Sequence, residues 1–140
     1  MSVGDEAGHF NWLLNGFVRD TSGVSDAVAV SSDGLLMARS ESLDDAGADQ
    51  VAAIISGLVS LGEGASRCFG FDELLQIIVA MRDGHMFVSA MGSAGCLGVV
   101  ATPRADIGNV GYQMALLVER CGEMLTPELV AELKTQVLVR

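Results

Sequence analysis

The sequence predicts an α/β chain of the α+β kind. A five-stranded antiparallel sheet is expected, sandwiched between a middle helix on one face and the N- and C-terminal helices on the other. Three observations predict it. Glu73–Arg82, His85–Met91 and Cys96–Ala101 are apolar runs separated by Asp83-Gly84 and by Gly92-Ser93-Ala94-Gly95. Asp-Gly between two apolar runs signals a hairpin, because a type I′ turn needs positive φ at both central positions. These runs are apolar on nearly every residue rather than on alternate ones, so helices must cover the sheet on both faces. Finally, three longer stretches carry apolar residues at helical spacing.

In chain order, Glu6 to about Asp20 reads as a helix whose stripe is Phe10, Leu13, Leu14, Phe17 and Val18. Asp20-Thr21-Ser22-Gly23 ends it with turn chemistry. Trp12 falls off the centre of that stripe, either as a packed edge of the core or as a partner contact. Val24–Ser31 reads as a strand, Ser32-Asp33-Gly34 as a second Asp-Gly turn, and Leu35–Arg39 as a short returning strand. Arg39, Ser40 and Glu41 suit a sheet edge that resists stray pairing.

Asp44 or Asp45 is placed to cap the middle helix, which runs to about Gly62 or Gly64. Its large apolar residues, Val51, Ile54, Ile55, Leu58, Val59 and Leu61, spread around much of the circumference. A second stripe is small: Asp49, Ala53, Ser56, Gly57, Ser60 and Gly64. Glycine inside a helix costs about 1 kcal/mol relative to alanine, so Gly57 implies a close backbone approach. Either this face lies tight on the sheet, or two copies of the helix touch across a dimer axis.

The three-strand meander ends at Pro103, which cannot continue a central strand. A helix from about Asp106 to Leu125 follows, with Ile107, Val110, Met114, Leu117, Val118, Cys121 and Leu125 on its apolar side. Thr126-Pro127-Glu128 starts a further short helix: a cap, a proline suited to the first position, and an acid that favours the dipole. The chain is expected to form a single domain over residues 1–140, with a core at about 6–125 and a helical tail at 126–140.

Composition excludes several classes. The 140 residues are half hydrophobic but only 5% aromatic, so the core is built from aliphatic residues and Met. The net charge is −10, with one lysine, Lys134, so phosphate backbones and anionic membranes repel the chain. No nucleic-acid partner and no membrane insertion are expected. The N-terminus carries Asp5 and Glu6 where a signal peptide would be basic. Three cysteines with no Cys-x-x-Cys pair read as reduced, buried thiols in a cytoplasmic protein.

A search for chemistry finds no reaction site. The only lysine lies near the C-terminus, away from any phosphate-binding loop, and no Gly-x-Ser-x-Gly elbow surrounds a serine. His9 and His85 stand in no metal-ligand spacing, and His85 reads as a strand-end residue. No enzyme activity, cofactor or metal is expected. Asp44, Asp45 and Asp49 cluster at the start of the middle helix. Either they only complement the helix dipole, at ~0.3–1 kcal/mol each, or they form an acidic docking surface. Asp45, Asp49 and Gln50 are the candidate partner-docking residues.

Phe10-Asn11-Trp12-Leu13-Leu14, the strand that ends in Val30-Ser31-Ser32-Asp33-Gly34-Leu35-Leu36, and the Leu75–Met91 hairpin resemble the Roadblock/LC7 domain. The likeness covers about residues 6–125. It points to the actinobacterial branch encoded beside a sensor kinase and a small Ras-like GTPase. The resemblance implies a profilin-like fold and a non-enzymatic, dimerising, cytoplasmic module that binds and regulates a small GTPase or scaffolds a signalling complex. In such dimers the strand over Glu73–Arg82 pairs with its symmetry mate and the middle helices lie side by side. The implied dimer contacts are Leu74, Gln76, Ile78 and Ala80 on the strand, and Ala53, Gly57 and Ser60 on the helix. One bacterial branch accelerates GTP hydrolysis without an inserted arginine. Arg39, Arg67 and Arg82 are finger candidates on charge alone, and ordinary surface arginine is the plainer reading. The expected partners are a second copy, a small Ras-like GTPase and the sensor kinase of the same gene cluster. The alternative is a small-ligand sensor domain, which needs a roomy pocket with convergent polar groups; Gln76, Ser89 and His85 are the few on offer.

Overall fold

The computed structural model describes residues 2–140. The elements are α1 (Val3–Asp20), β1 (Val24–Ser31), β2 (Leu36–Arg39), α2 (Asp45–Phe69), β3 (Gln76–Met81), β4 (Gly84–Ala90), β5 (Gly95–Ala101), α3 (Ile107–Gly122) and α4 (Pro127–Leu138). The five strands form one sheet in the order β2-β1-β5-β4-β3, with every neighbouring pair antiparallel. The two hairpins therefore flank β5, and β3 stands at one edge.

Alternation along the strands feeds two cores. Ala27, Ala29, Phe87, Leu97 and Val99 point to one face and pack with Phe10, Leu14, Val110 and Met114 of α1 and α3. Val28, Val30 and Val88 point to the other face and pack with Ala48, Ala52 and Ile55 of α2. The expected sandwich is present, with α2 on one side and α1, α3 and α4 on the other. Burying one large aliphatic side chain in these layers stabilises by about 1.5–3 kcal/mol.

Local signals explain the helix ends. Ser2 and Asp5 form a capping box, so α1 begins three residues before the expected Glu6. Asp44 caps α2 by accepting from the Gly47 amide, at 2.7 Å. Asp106 caps α3 through the Asn109 amide, and Thr126 caps α4 through that of Leu129.

Four features differ from the sequence expectation. α2 does not stop at Gly62 or Gly64. It runs 25 residues to Phe69 and ends at Gly70, whose φ of 67° is the left-handed cap. Gly62 lies inside the helix under the Leu74 side chain, whose Cδ2 a Cβ there would approach to 2.9 Å. The β3–β4 turn consists of Arg82 and Asp83, with Met81 paired to Gly84, and neither turn residue has a positive φ. The hairpin forms, but not through a type I′ Asp-Gly turn. Gly84 serves β4 instead, because a Cβ would meet the Ala101 carbonyl oxygen at 2.7 Å. Ile107, expected on the apolar side of its helix, is largely exposed in the first turn of α3.

The fourth difference is α4, which is no peripheral tail. Leu129 and Leu133 are fully buried in the larger core, and Val137 reaches the α2-side core. α4 packs beside β2 and α1, covering that edge of the sheet. Lys134 Nζ lies 3.2 Å from Asp33, and Arg140 lies 2.5 Å from Asp49 and 3.5 Å from Asp45.

Candidate functional site: an open strand edge beside an exposed helix face

The two sheet edges are not alike. β2 is sheltered by α4, whereas β3 pairs only with β4 and leaves one row of backbone groups unpaired within the chain. Natural edges are usually protected by lysine, proline, a bulge or an inward charge. The run Leu74-Leu75-Gln76-Ile77-Ile78-Val79-Ala80-Met81 contains none of these. Ile77 and Val79, half-buried, alternate with exposed Gln76, Ile78 and Ala80. Ile78 stands opposite Phe87, and Ala80 opposite His85. Leu74 lies before the strand and packs towards Gly62 of α2, so it does not share the face of the other three implied contacts.

The exposed side of α2 continues this surface. Ala53, Gly57 and Ser60 are all exposed, and beyond the adjoining backbone of α2 itself no atom lies within 4 Å of a Cβ built at Gly57. The reading in which Gly57 lies tight on the sheet is therefore excluded within the protomer. Ser56, by contrast, belongs to the inner side, with its hydroxyl hydrogen-bonded to the Ala52 carbonyl at 2.9 Å. Around the small residues stand large apolar ones that the sequence reading did not assign: Ile54 at 45% exposure, Leu61 at 75%, Phe71 at 75% and Leu75 at 67%. The rings of Phe69 and Phe71 stack at 5.5 Å beyond the end of α2. For Ile54 and Leu61 the sequence signal was the spread of apolar residues around α2 beyond the width of one core stripe. Large exposed apolar residues beside an open strand edge suit an interaction surface.

The acidic residues at the start of α2 are engaged within the chain. Arg39 lies 3.1 Å from Asp45 and donates to the Leu43 carbonyl at 2.6 Å. Asp45 and Asp49 also receive Arg140, while Gln50 is exposed without a side-chain hydrogen bond among the described residues. Arg39 is thus an anchored side chain, whereas Arg67 and Arg82 are exposed and form no ion pair among the described residues. Trp12 is 62% exposed and stacked on His9 at 5.8 Å, so it is not a packed core edge.

Chemistry on the remaining surface is sparse. Among the described residues, no three His, Cys, Asp or Glu side chains gather as a metal ion requires. His85 lies against Phe87 at 6.1 Å, and its buried Nδ1 has no hydrogen-bond partner among the described residues. The cysteines are all free, but Cys68 is exposed, which corrects the expectation of three buried thiols. Burial pushes the Cys121 thiol up to about 11, against a smaller opposing effect of Arg120. No helix among the described residues is long and apolar enough to cross a membrane.

A cleft of about 640 Å³ opens between α2 and the sheet. Val30, Ile55, Val59 and Val88 line it, together with polar Ser56, Ser60, Glu63 and Gln76. Of the three polar residues that the sequence offered for a ligand pocket, only Gln76 reaches it; Ser89 and His85 do not.

The open edge, the two-faced sheet and the exposed helix define a small α+β module with one strand edge left unpaired within the chain. The family model for the Roadblock/LC7 domain matches residues 10–101, and the chain belongs to that family. The crystal structure of a Roadblock/LC7 domain from Streptomyces avermitilis is 39% identical, with a TM-score of 0.77 over 82% of this chain and 96% of that one. Myxococcus xanthus MglB is 16% identical, with a TM-score of 0.76 over 83% of this chain and 94% of that chain. The gliding protein MglB from Thermus thermophilus is 17% identical, with a TM-score of 0.75 over 89% of this chain and 92% of that chain. The two MglB structures share the fold. Among curated proteins, none matches the chain.

Proposed function

We propose that this Roadblock/LC7 chain is a non-enzymatic, homodimeric regulator that binds a small Ras-like GTPase in the cytoplasm and modulates its nucleotide cycle or its place in a signalling complex. The observation that carries the reading is the undefended β3 edge next to the exposed α2 face. A second copy adding its β3 antiparallel to this one satisfies the free backbone groups and continues the sheet. Gln76, Ile78 and Ala80 then lie at the strand seam. Ala53, Gly57 and Ser60 allow the two helices to approach closely, and Leu74 supports the seam from the helix side.

The paired α2 helices form the platform for the GTPase, with Asp45, Asp49 and Gln50 at its ends. Asp45 and Asp49 are held by Arg39 and Arg140 in the free chain. A basic patch on the partner would exchange with these surface ion pairs at little cost, since such pairs contribute only about 0–1 kcal/mol. The sensor kinase of the same gene cluster is the upstream partner in this reading. Any effect on hydrolysis works by repositioning the GTPase's own catalytic groups.

The test is co-purification with a Ras-like GTPase of the same gene cluster, loaded with GDP or with a GTP analogue. Complex formation that depends on the nucleotide is expected, and absence of binding in both states overturns the reading. A single-turnover hydrolysis assay then separates a regulator of the nucleotide cycle from a scaffold.

A further inference from the structure

The cleft between α2 and the sheet is shaped and charged for one kind of small molecule. Its volume of about 640 Å³ falls within the range of ligand sites, roughly 300–1,000 Å³. Its floor is aliphatic, from Val30, Ile55, Val59 and Val88, and the hydroxyls of Ser56 and Ser60 stand on the helix wall. Its charge is one-sided. Glu63, Asp72 and Glu73 line the cleft, and among the described residues none of them forms an ion pair. Asp33 also lines it but is paired with Lys134. The one basic lining residue, Arg67, sits in the last turn of α2, where a cation complements the helix dipole.

We propose that this cleft binds a small amphipathic cation, with its apolar body on the aliphatic floor and its ammonium at Glu63. An acidic cleft with low-dielectric walls concentrates cations and repels anions. The charge of Glu63 reaches inwards: the Cys96 thiol in the same cleft is pushed up first by burial and then by Glu63. The proposal does not rest on the GTPase reading, although Ser60 and Gln76 line the cleft and also belong to the proposed dimer seam.

The experiment uses three probes with one body: hexylammonium, hexanol and hexanoate, each titrated into isotope-labelled full-length protein and followed by amide chemical shifts. Hexylammonium should shift the amides of Ser56, Ser60 and Cys96 saturably, with a dissociation constant at least about tenfold below that of hexanoate. Glu63 is exposed, so Glu63→Gln keeps the fold. It should cut the preference for the ammonium at least about threefold while leaving hexanol binding unchanged. Equal or tighter binding of hexanoate or hexanol overturns the proposal. So do shifts confined to other surfaces, an unchanged preference in Glu63→Gln, or no saturable shift with any probe up to about 10 mM.

Discussion

Gly57 sits near the middle of a 25-residue helix, exposed, with open space where its side chain would be. Nothing inside the protomer requires glycine there, yet glycine costs the helix about 1 kcal/mol relative to alanine. The close backbone approach of a second copy, as proposed above, would account for it. Gly57→Leu should therefore retain the helical circular dichroism of the native chain and weaken self-association at least about tenfold in sedimentation equilibrium. Asp33 tests a different contact. The Ser31 hydroxyl, and then the Lys134 ammonium, hold its carboxyl below the usual range. A depressed folded pKa stabilises fully above the unfolded value of about 3.9, and the contribution is lost as pH falls through the folded value. Asp33→Asn should accordingly lower the melting temperature at neutral pH, by progressively less as pH falls below about 4. An effect independent of pH would show that packing, not charge, holds α4 to the β1–β2 turn.

At the level of elements, the two edge strands explain each other. β2 is four residues long and sheltered by α4, whereas the longer β3 is bare. Ile78→Lys places a charge on the exposed face of β3, a device that natural edges use against pairing. It should leave the protomer folded and reduce its sedimenting mass to that of one chain. α4 makes the opposite kind of contribution. Leu133 is fully buried in the larger core, so Leu133→Ala should cost about 2–5 kcal/mol in urea denaturation. A cost near zero would return α4 to the role of a detachable tail. The sequence showed α4 through its cap and its spacing, but not its importance. Leu129, Leu133 and Val137 stand at helical spacing whether or not a core receives them, and only tertiary contact decides. The α2 end was misread for a related reason. Gly62 and Gly64 look like stop signals, and the packing of Leu74 over Gly62 is a contact between elements that local pattern does not carry.

For the whole molecule, the layer order followed from runs of apolar strand residues, because a strand with two greasy faces needs two covers. The candidate interface was partly legible for the same reason: the run from Leu74 to Met81 is apolar beyond what one covered face uses. Phe69, Phe71 and Leu61 remained unassigned, since exposure is a property of the assembled fold and apolar residues read alike wherever they end up. The cleft was invisible in sequence, because its walls come from α2, the β1–β2 turn, the start of β3 and the β4–β5 turn. What unifies the molecule is its sidedness, with one edge sheltered by α4 and the other unpaired, the edge proposed to receive a second copy. Sedimentation equilibrium of the native protein at micromolar concentration tests this most directly. A mass of twice 14.6 kDa is predicted, and a stable species of 14.6 kDa would contradict it.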